Sequence, residues 1–380
     1  MEHRKKICIV STVPVALRLF MREHIQELCK HYEVVLITNA GEEEIAGVYD
    51  PRVRFIPLAV ERKISLLSDM KALSALLGIF NREQFDCVLS IMPKSGLLAM
   101  IAGFLARVPQ RVHIFTGQVW FTRQGVARLG LKMMDRLLAM CATHLLADSP
   151  SQRAFLLEEG VVGKNKITVL GQGSISGVDT ERFRPDLEAR TRYRRELGID
   201  STAVVFLYMA RVTRDKGVLD LAHAFQRVSP EMPDAYLVVI GPDEDGIEGE
   251  LGELLSPCQS HVRRVQFTYD PEGYMAASDV FCIPSYREGF SSATIQAAGT
   301  GCPAIASRIY GLSDAVVEGH TGIFHKAGAV DEIVHALRTL YSDKDLRKLL
   351  GEQAYARAHQ HFAQRLIVDE MMGFIRRRLT

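Results

Sequence analysis

Short apolar runs alternate with longer amphipathic stretches along the chain. A short apolar run bounded by turn residues is typical of a buried strand, and a 3.6-residue apolar period is typical of a helix. The first half has seven such runs, at Lys6–Ser11, Glu33–Thr38, Val53–Pro57, Cys87–Ile91, Arg111–Phe115, His144–Ala147 and Ile167–Leu170. The second half has six, at Ala203–Met209, Ala235–Ile240, Val262–Phe267, Val280–Pro284, Ala304–Ala306 and Gly322–Phe324.

This alternation predicts an α/β fold. Amphipathic stretches such as Leu19–His31 and Gly96–Arg107 separate consecutive strands, which favours parallel sheets with helices on both faces. The rhythm begins again at Ala203. We therefore predict two tandem Rossmann-like, doubly wound parallel sheets with an interdomain cleft, where ligands of such folds commonly bind.

The segment Gly171–Asp179 marks the predicted domain boundary. It is rich in Gly and Ser and precedes a polar helix at Arg184–Leu197. Its Gly-x-Gly lacks the third glycine and the helix start of a dinucleotide fingerprint, so it predicts a hinge. We predict an N-terminal domain at 1–177, a C-terminal domain at 178–360, and a final helix at 361–380 that packs back on the N-terminal domain.

Composition narrows the protein class. The 380 residues are 47% hydrophobic and 24% charged with a net charge of +1, which is ordinary globular composition and gives no reason to expect nucleic acid as a partner. The seven cysteines are scattered without a Cys-x-x-Cys pair, which predicts reduced thiols rather than a zinc site. The longest uncharged apolar run, Ser95–Ala106, is shorter than the roughly 20 residues that span a bilayer. With no signal-peptide pattern at the start, we expect a cytoplasmic protein, soluble or peripheral.

Charge is unevenly divided between the halves. Residues 1–180 carry 22 Lys and Arg against 17 Asp and Glu, and residues 181–380 carry 24 against 28. The basic half indicates either an anionic partner or simple scatter of a few charges. Within it, the predicted helix Gly125–Met140 repeats cations every four residues, at Arg128, Lys132 and Arg136. That stripe suits contact with an anionic membrane, but a Rossmann helix packed on its sheet has a polar stripe too.

A loop and helix in the second half suit a phosphate group. Glu288 lies in a tight loop after a predicted buried strand, and a helix opens with Ser291 and Ser292. A helix start offers unpaired backbone N–H groups and the positive end of the helix dipole. Gly289 lets backbone approach a ligand closely. Gln296, eight residues after Glu288, lies about two turns into the helix and can face the same cleft.

Two cations follow the first strand of the second half. Arg211 and Lys216 are five residues apart on a loop that leads into a helix. Arg can bind a diphosphate with two bonds and Lys as a point charge. Taken singly they resemble solvated surface cations, as Glu288 alone resembles a helix cap, but together they indicate a phosphate site. The nearby Asp243–Asp245 is similar to a metal-binding Asp-x-Asp motif of another fold, and here we predict a solvated acidic loop.

These motifs together resemble the signature of the retaining family-four glycosyltransferases with the GT-B fold. The residues that carry the resemblance are Arg211, Lys216, Gly217, Glu288, Gly289, Phe290, Ala297, Gly301, Cys302, Pro303 and the linker Ser176–Asp179. The resemblance covers nearly the whole chain. It implies that the C-terminal domain holds a nucleotide-sugar donor, that the N-terminal domain holds the acceptor, and that no cofactor or metal is required.

The resemblance also assigns residue roles. Arg211 and Lys216 would hold the donor phosphates and stabilise the leaving diphosphate, and Glu288 would contact the donor sugar. The residues expected to bind the donor are Gly289, Phe290, Ser291, Ser292 and Gln296, with Tyr269 as a further candidate. The family pattern has a second glutamate where this chain has Gln296. An amide can bond a ribose hydroxyl but forgoes a charge-assisted bond about twice as strong as a neutral one.

The N-terminal half supplies further candidates. His113 near the end of a predicted strand is either a core histidine or, in a cleft-facing loop, a catalytic residue that bonds the donor sugar or acceptor. Ser11, Thr12 and Arg18 follow the first strand, where such folds admit the acceptor. Asp148–Ser151 predicts a structural helix cap.

The expected reaction is transfer of a hexose with retention of configuration. The donor would be a UDP-sugar, including UDP-N-acetylhexosamines, and the acceptor a saccharide on a polyprenyl diphosphate in bacterial surface polysaccharide or lipopolysaccharide synthesis. A sugar-nucleotide epimerase of the same fold, or a non-catalytic nucleotide-sugar binding protein, remains an alternative at this point.

Overall fold

The computed structural model describes residues 4–45, 47–60 and 65–379, with the side chains of residues 42 and 43 left aside. The chain forms two compact units. Unit 1 comprises Met1–Ser176 with Gln364–Thr380, and unit 2 comprises Gly177–Ala363. These bounds lie one residue from the predicted boundary at 177 and three residues from the one at 360.

Unit 1 is built on a seven-stranded parallel sheet with the order β3-β2-β1-β4-β5-β6-β7. Its strands are β1 (Lys6–Val10), β2 (Glu33–Thr38), β3 (Arg54–Pro57), β4 (Cys87–Ile91), β5 (Gln110–Phe115), β6 (His144–Ala147) and β7 (Ile167–Val169). Its helices are α1 (Pro14–Ala16), α2 (Arg22–His31), α3 (Glu42–Ile45), α4 (Leu66–Glu83), α5 (Pro93–Leu105), α6 (Gly125–Cys141) and α7 (Pro150–Glu158).

Unit 2 is built on a six-stranded parallel sheet with the order β10-β9-β8-β11-β12-β13. Its strands are β8 (Val204–Met209), β9 (Ala235–Ile240), β10 (Val262–Val265), β11 (Val280–Ile283), β12 (Ala304–Ser307) and β13 (Gly322–His325). Its helices are α8 (Leu187–Glu196), α9 (Val218–Val228), α10 (Glu248–Leu255), α11 (Pro271–Ala277), α12 (Ser292–Gly299), α13 (Leu312–Ala315), α14 (Val330–Ser342) and α15 (Lys344–Phe362). Short 3₁₀ turns lie at Arg214–Lys216, Ser229–Glu231 and Ser256–His261.

The central strands are buried on both faces. Every residue of β4 is buried, and so is every residue of β1 after Lys6. Helices that cover both faces of a parallel sheet explain why these strands are continuous apolar runs rather than alternating ones. The predicted fold class is confirmed, and each of the thirteen predicted strands is present with ends shifted by at most two residues.

The chain after β1 differs from the prediction of a helix at Leu19–His31. Helical structure already begins at Pro14 and passes through a π-helical segment, Leu17–Met21, before α2. Pro14 is favoured at a helix start because its ring presets φ and it needs no N–H partner there. Single π turns occur often at functional sites, and Arg18 lies in this one.

The charged C-terminal segment forms two helices. α15 ends in unit 2, and α16 (Gln364–Leu379) belongs to unit 1, where it buries Met371, Phe374 and Ile375. All seven cysteines are buried free thiols. None of the helices in the described ranges combines the length and apolar character needed to cross a membrane.

Candidate functional site

The order of strands in unit 2 places a switch point between β8 and β11. These two strands are neighbours, and the chain proceeds from β8 toward one edge of the sheet and from β11 toward the other. Doubly wound sheets bind ligands at the carboxyl ends of strands at such a point. The loop with Arg211 and Lys216 leaves β8 there, and the loop with Glu288 leaves β11 there.

Lys216 and Glu288 meet at this switch point although 72 residues separate them in sequence. The Lys216 Nζ donates to Glu288 Oε1 at 2.6 Å, and the Ser285 hydroxyl donates to the same oxygen at 3.0 Å. The side chains of Lys216 and Glu288 are only 15% and 12% exposed. A cation and a carboxylate are therefore held in contact in a largely water-excluded place, where their charges act more strongly than at the surface.

Two glycines allow the loops to approach one another. Gly217 has φ +69°, and a Cβ there would lie 2.0 Å from the backbone oxygen of Pro284. Gly311 has φ +83°, and a Cβ there would lie 2.4 Å from the backbone oxygen of Gly289. No other residue fits at these positions without moving backbone. The Lys216–Gly217 dipeptide thus carries a geometric requirement as well as a charge.

Arg211 is held by the acidic loop that follows β9. Its Nη1 donates to Glu244 Oε2 at 2.7 Å, and the backbone N–H of Arg214 donates to Asp245 Oδ2 at 2.8 Å. Glu244 and Asp245 are exposed, as predicted for this loop, whereas Asp243 is half-buried and its carboxylate accepts backbone N–H groups of the loop itself. The bonds between this loop and the cation loop were not predicted. The Arg211–Glu244 pair is 41% and 35% exposed. Such a pair contributes little stability, so an anion could replace Glu244 at small cost.

Asp215 orders the same loop from beneath. Its carboxylate accepts from Thr213 Oγ1 at 2.7 Å and from Arg287 Nη2 at 2.9 Å. Burial alone would raise the pKa of Asp215, but these two hydrogen bonds hold it below its ordinary value. The sequence did not predict a place in the site for four residues, Asp215, Glu244, Ser285 and Arg287. Their signal is adjacency to the two motifs, which does not tell which neighbours will touch.

The helix after Glu288 begins as predicted. Ser291 caps α12, since its hydroxyl accepts from the Thr294 N–H at 3.4 Å and from Thr294 Oγ1 at 2.8 Å. The Phe290 side chain is 7% exposed and packs 5.3 Å from the Phe362 ring, which leaves only its backbone for a ligand. Gln296 is half-buried, and its amide makes no hydrogen bond within the described residues. Ser292 is the first residue of the helix.

Tyr269 lies apart from these residues. It follows β10, which β9 separates from β8. Its side chain is 81% exposed and contacts the Phe267 ring edge to face at 4.7 Å. The structure does not assemble Tyr269 with the Lys216–Glu288 pair, and a donor-binding role for it stays a prediction.

His113 does not lie in a cleft-facing loop, and that prediction is wrong. It is inside β5, 1% exposed, with Nδ1 2.9 Å from the Ser90 hydroxyl. Burial lowers the pKa of His113 to about 3, so the ring is neutral. A Cβ at Gly96 would lie 2.3 Å from its Cε1, which shows how tightly the ring is packed. Its placement is that of a core histidine.

Unit 1 has its own switch point, between β1 and β4. Thr12 after β1 and Met92–Lys94 after β4 line one cavity of about 410 Å³ there. Ser11 is 1% exposed and donates to the Val13 backbone oxygen, whereas Arg18 is exposed. Of the three predicted acceptor-binding residues, the structure places Thr12 alone on the cavity wall.

The basic stripe of α6 is engaged within unit 1. Arg128 and Lys132 each bond Glu159 at 2.6 Å, and Arg136 Nε donates to the Gly160 backbone oxygen at 2.9 Å. Arg128 and Lys132 also lie over the Trp120 ring, at 5.5 and 5.7 Å from its centroid. All three cations therefore have partners within unit 1, and contact of this stripe with an anionic membrane stays a prediction.

Asp135 supports the wall of the cavity. It is 9% exposed and accepts from Trp120 Nε1 at 2.7 Å. Burial raises the pKa of Asp135 to about 6, although the Trp120 hydrogen bond lowers it in part. In the described parts of the chain no group of three or more His, Cys, Asp or Glu side chains could hold a metal ion, and the metal requirement stays a prediction.

The raised pKa of Asp135 predicts a pH-dependent stability. Between about pH 4 and 6 the unfolded chain has lost this proton while the folded chain keeps it, so the free energy of unfolding falls as pH rises through that window. Asp135→Asn removes the ionisation and should be more stable than the parent by about 3 kcal/mol above pH 6, with no gain near pH 3. Denaturant unfolding followed by fluorescence of Trp120, the only tryptophan, reports unit 1 alone. A gain that is the same at pH 3 and pH 7 would contradict the assignment.

Two family models match the chain. The model for glycosyl transferases group 1 matches residues 189–357, and the model for the glycosyl transferase 4-like domain matches residues 18–173. The first range lies in unit 2 and the second in unit 1.

Relatives of known role match most of the chain. The capsular polysaccharide biosynthesis glycosyltransferase CapM of Staphylococcus aureus is 29% identical over 369 residues, which covers 97% of this chain and 96% of the relative. The UDP-Gal:alpha-D-GlcNAc-diphosphoundecaprenol alpha-1,3-galactosyltransferase of Escherichia coli is 29% identical over 305 residues, covering 78% and 76%. A crystal structure of Anabaena HepE in complex with UDP and glucose has a TM-score of 0.82 at 17% identity, covering 98% and 99% of the two chains, which is a likeness of fold.

Proposed function

The chain belongs to the group 1 glycosyltransferases of GT-B fold, and from this premise we propose that it transfers a sugar from a UDP-sugar to a lipid-linked saccharide with retention of configuration. The observation that carries the proposal is the half-buried Lys216–Glu288 pair at the switch point of unit 2. A cation there suits the donor diphosphate, and a carboxylate beside it suits the hydroxyls of the donor sugar.

The reaction breaks the bond between the anomeric carbon and the diphosphate oxygen and forms a bond to an acceptor hydroxyl on the same face. The hydroxyl proton leaves with the departing diphosphate or to solvent. Arg211, Lys216 and the start of α12 offset the negative charge that grows on the leaving oxygen, which is usually the largest electrostatic contribution to such catalysis. In this proposal unit 2 binds the donor, unit 1 binds the acceptor, and no metal is required.

The relatives support the choice of substrates. The E. coli enzyme named above acts with UDP-Gal on a GlcNAc-diphosphoundecaprenol, and the S. aureus relative serves capsular polysaccharide synthesis. HepE was crystallised with UDP and glucose. We therefore place this chain in bacterial surface polysaccharide synthesis, at the cytoplasmic face of the membrane that holds such acceptors.

Incubation with labelled UDP-sugars tests the proposal. Purified protein is given UDP-Glc, UDP-Gal, UDP-GlcNAc or UDP-GalNAc with GlcNAc-diphosphoundecaprenol in detergent, and label in the organic phase is counted. We expect transfer from at least one donor, an α linkage by NMR, and no loss of rate with EDTA. Conversion of the donor in the absence of acceptor would indicate an epimerase instead. Binding of every donor without any turnover, across a panel of acceptors, would overturn the proposal.

Gln296 offers a test of donor binding that needs no acceptor. If its amide bonds the ribose, Gln296→Leu should weaken UDP binding about fivefold to tenfold, since a net hydrogen bond contributes about 1 kcal/mol. Gln296→Glu should bind UDP at least as tightly as the parent, because its bond would be charge-assisted. Titration calorimetry with UDP measures the affinity of the parent and of the two variants. Equal affinities in the three proteins would mean that residue 296 does not touch the nucleotide.

A further inference from the structure

The outer face of α6 is apolar. Val126 and Met140 at its two ends are 86% and 74% exposed. Between them Leu129, Met133, Met134 and Leu137 are 41% to 59% exposed. With its cations bonded to the body of unit 1, the helix presents to solvent the side chains that a surface helix ordinarily buries. A contiguous apolar patch of this kind marks a binding surface.

The cavity of unit 1 opens at this patch. Leu66, Val119 and Met134 line the cavity and are themselves 80%, 38% and 41% exposed, so apolar side chains surround its mouth. Its inner wall includes Leu98 and Trp120, which are 7% and 1% exposed. The apolar surface therefore continues inward as far as the core.

The position of the cavity is that of a ligand site. It lies at the switch point between β1 and β4, where doubly wound folds bind ligands. Met92 on its wall has φ +77°, a conformation that residues other than glycine rarely adopt and that is retained mainly at functional sites. A volume of about 410 Å³ is within the usual range for small-molecule pockets.

The lining suits a ligand with one apolar and one polar end. Most lining residues are apolar, but Lys94 and Asp69 form an ion pair at 2.6 Å on the wall, and Asp135 and Thr12 add hydrogen-bonding groups. We propose that this cavity, with the exposed face of α6 at its mouth, binds the hydrocarbon chain of the lipid-linked acceptor next to its polar head. This inference rests on the proposed function, which it extends from an acceptor class to a site.

A hydrocarbon chain fits these observations better than a protein partner does. A flat protein surface would cover the outer face of α6 but leave the inner wall at Leu98 and Trp120, which are 7% and 1% exposed, without a partner. A flexible hydrocarbon can do both, and transfer from water into this lining is favourable by roughly 0.8 kcal/mol for each buried CH₂. A lipid in a bilayer could also enter without crossing water, since the mouth is apolar.

The position of Trp120 allows the bound hydrocarbon chain to be located directly by fluorescence. Trp120 is the only tryptophan and lies on the cavity wall. A dodecyl phosphate brominated at the end of its chain quenches tryptophan only at contact. We expect saturable quenching in the full-length protein below the micelle concentration, reversed by farnesyl phosphate and unaffected by inorganic phosphate. Absence of quenching, or quenching that inorganic phosphate reverses, would overturn the proposal.

Two matched variants on one helix separate the cavity from the patch. Met134→Gln alters a residue that lines the cavity, and Met140→Gln makes the same change at an exposed residue that does not. We expect Met134→Gln to raise the Kd for farnesyl phosphate about tenfold and Met140→Gln to change it less than about twofold. Equally weakened binding of farnesyl phosphate in both variants would place its hydrocarbon chain on the outer face of α6. Unchanged binding in both would place it elsewhere. Each of these results overturns the cavity assignment.

The same variants distinguish this inference from the proposed function. If the parent transfers sugar to the undecaprenyl-linked acceptor and Met134→Gln has the same KM for it, the inference fails while the proposed function stands. If no transfer occurs but the brominated chain quenches Trp120 as expected, the chain site stands and its assignment to an acceptor fails. A KM raised about tenfold with unchanged kcat in Met134→Gln alone supports both.

Discussion

Lys216→Ala is expected to lower kcat/KM for sugar transfer about 10²–10³-fold, the usual cost of removing one preorganised electrostatic donor. Lys216 Nζ is the cation of the half-buried pair with Glu288, and it is the group of that pair that can meet the negative charge of the leaving diphosphate. The substitution also leaves the Glu288 carboxylate without its cation. The loss should therefore be measured as an initial rate with donor in excess, beside a thermal melt that verifies folding.

Two further variants make this test specific. Lys348→Ala removes a lysine that is 74% exposed on α15, and its activity should match the parent. Lys216→Gln keeps a hydrogen-bond donor to Glu288 but no charge, so activity close to that of Lys216→Ala would assign the effect to charge. Near-parental turnover in both Lys216 variants would remove Lys216 from the reaction.

Gly217→Ala is expected to destabilise unit 2 strongly. The new Cβ would lie 2.0 Å from the Pro284 backbone oxygen, so either the β8 loop or the end of β11 must move. We expect the free energy of unfolding to fall by about 3 kcal/mol more than a positive φ alone explains. Because a misplacement of about 1 Å can cost about 10²-fold in rate, transfer should fall by at least that amount.

Gly246→Ala is the matched control. Gly246 has the same φ of +69°, but a Cβ there meets nothing within 4 Å. Gly246→Ala should lower the free energy of unfolding by only about 1–2 kcal/mol, the effect of placing a side chain on a residue in the left-handed conformation. Calorimetric melting of the two variants and the parent gives the comparison. Similar melting temperatures for the two variants would show that close packing against Pro284 is not what position 217 requires.

Much of the architecture was readable from the sequence. Apolar periodicity and turn residues are local properties of the sequence, so the strands were predicted at the right places. The helix cap at Ser149 and the helix start at Ser291 were predicted correctly for the same reason. The cation loop and the carboxylate loop could be singled out because each directly follows a buried strand. The order of the strands then explains why they meet, since parallel strands deliver their carboxyl ends to one edge.

Other features depended on packing that a linear pattern does not encode. The sequence around a histidine near a strand end does not tell whether the residue lies in a loop or in the core. Only the tertiary structure shows that His113 contacts Ser90 and packs against Gly96. The cations of α6 and its apolar side chains alternate on the same helix, so both faces were candidates for the surface. Only the structure shows that Arg128 and Lys132 bond Glu159 while the apolar side chains of α6 are exposed.

The sequence by itself therefore determined the two doubly wound sheets, the motifs at their strand ends and the family resemblance, because these follow from short-range periodicity and residue chemistry. The tertiary structure alone decided which charges are partners, with Lys216 on Glu288 and Arg211 on Glu244. It alone revealed the cavity beside Trp120. Contacts between residues far apart in sequence depend on how whole elements pack, and no local pattern records that.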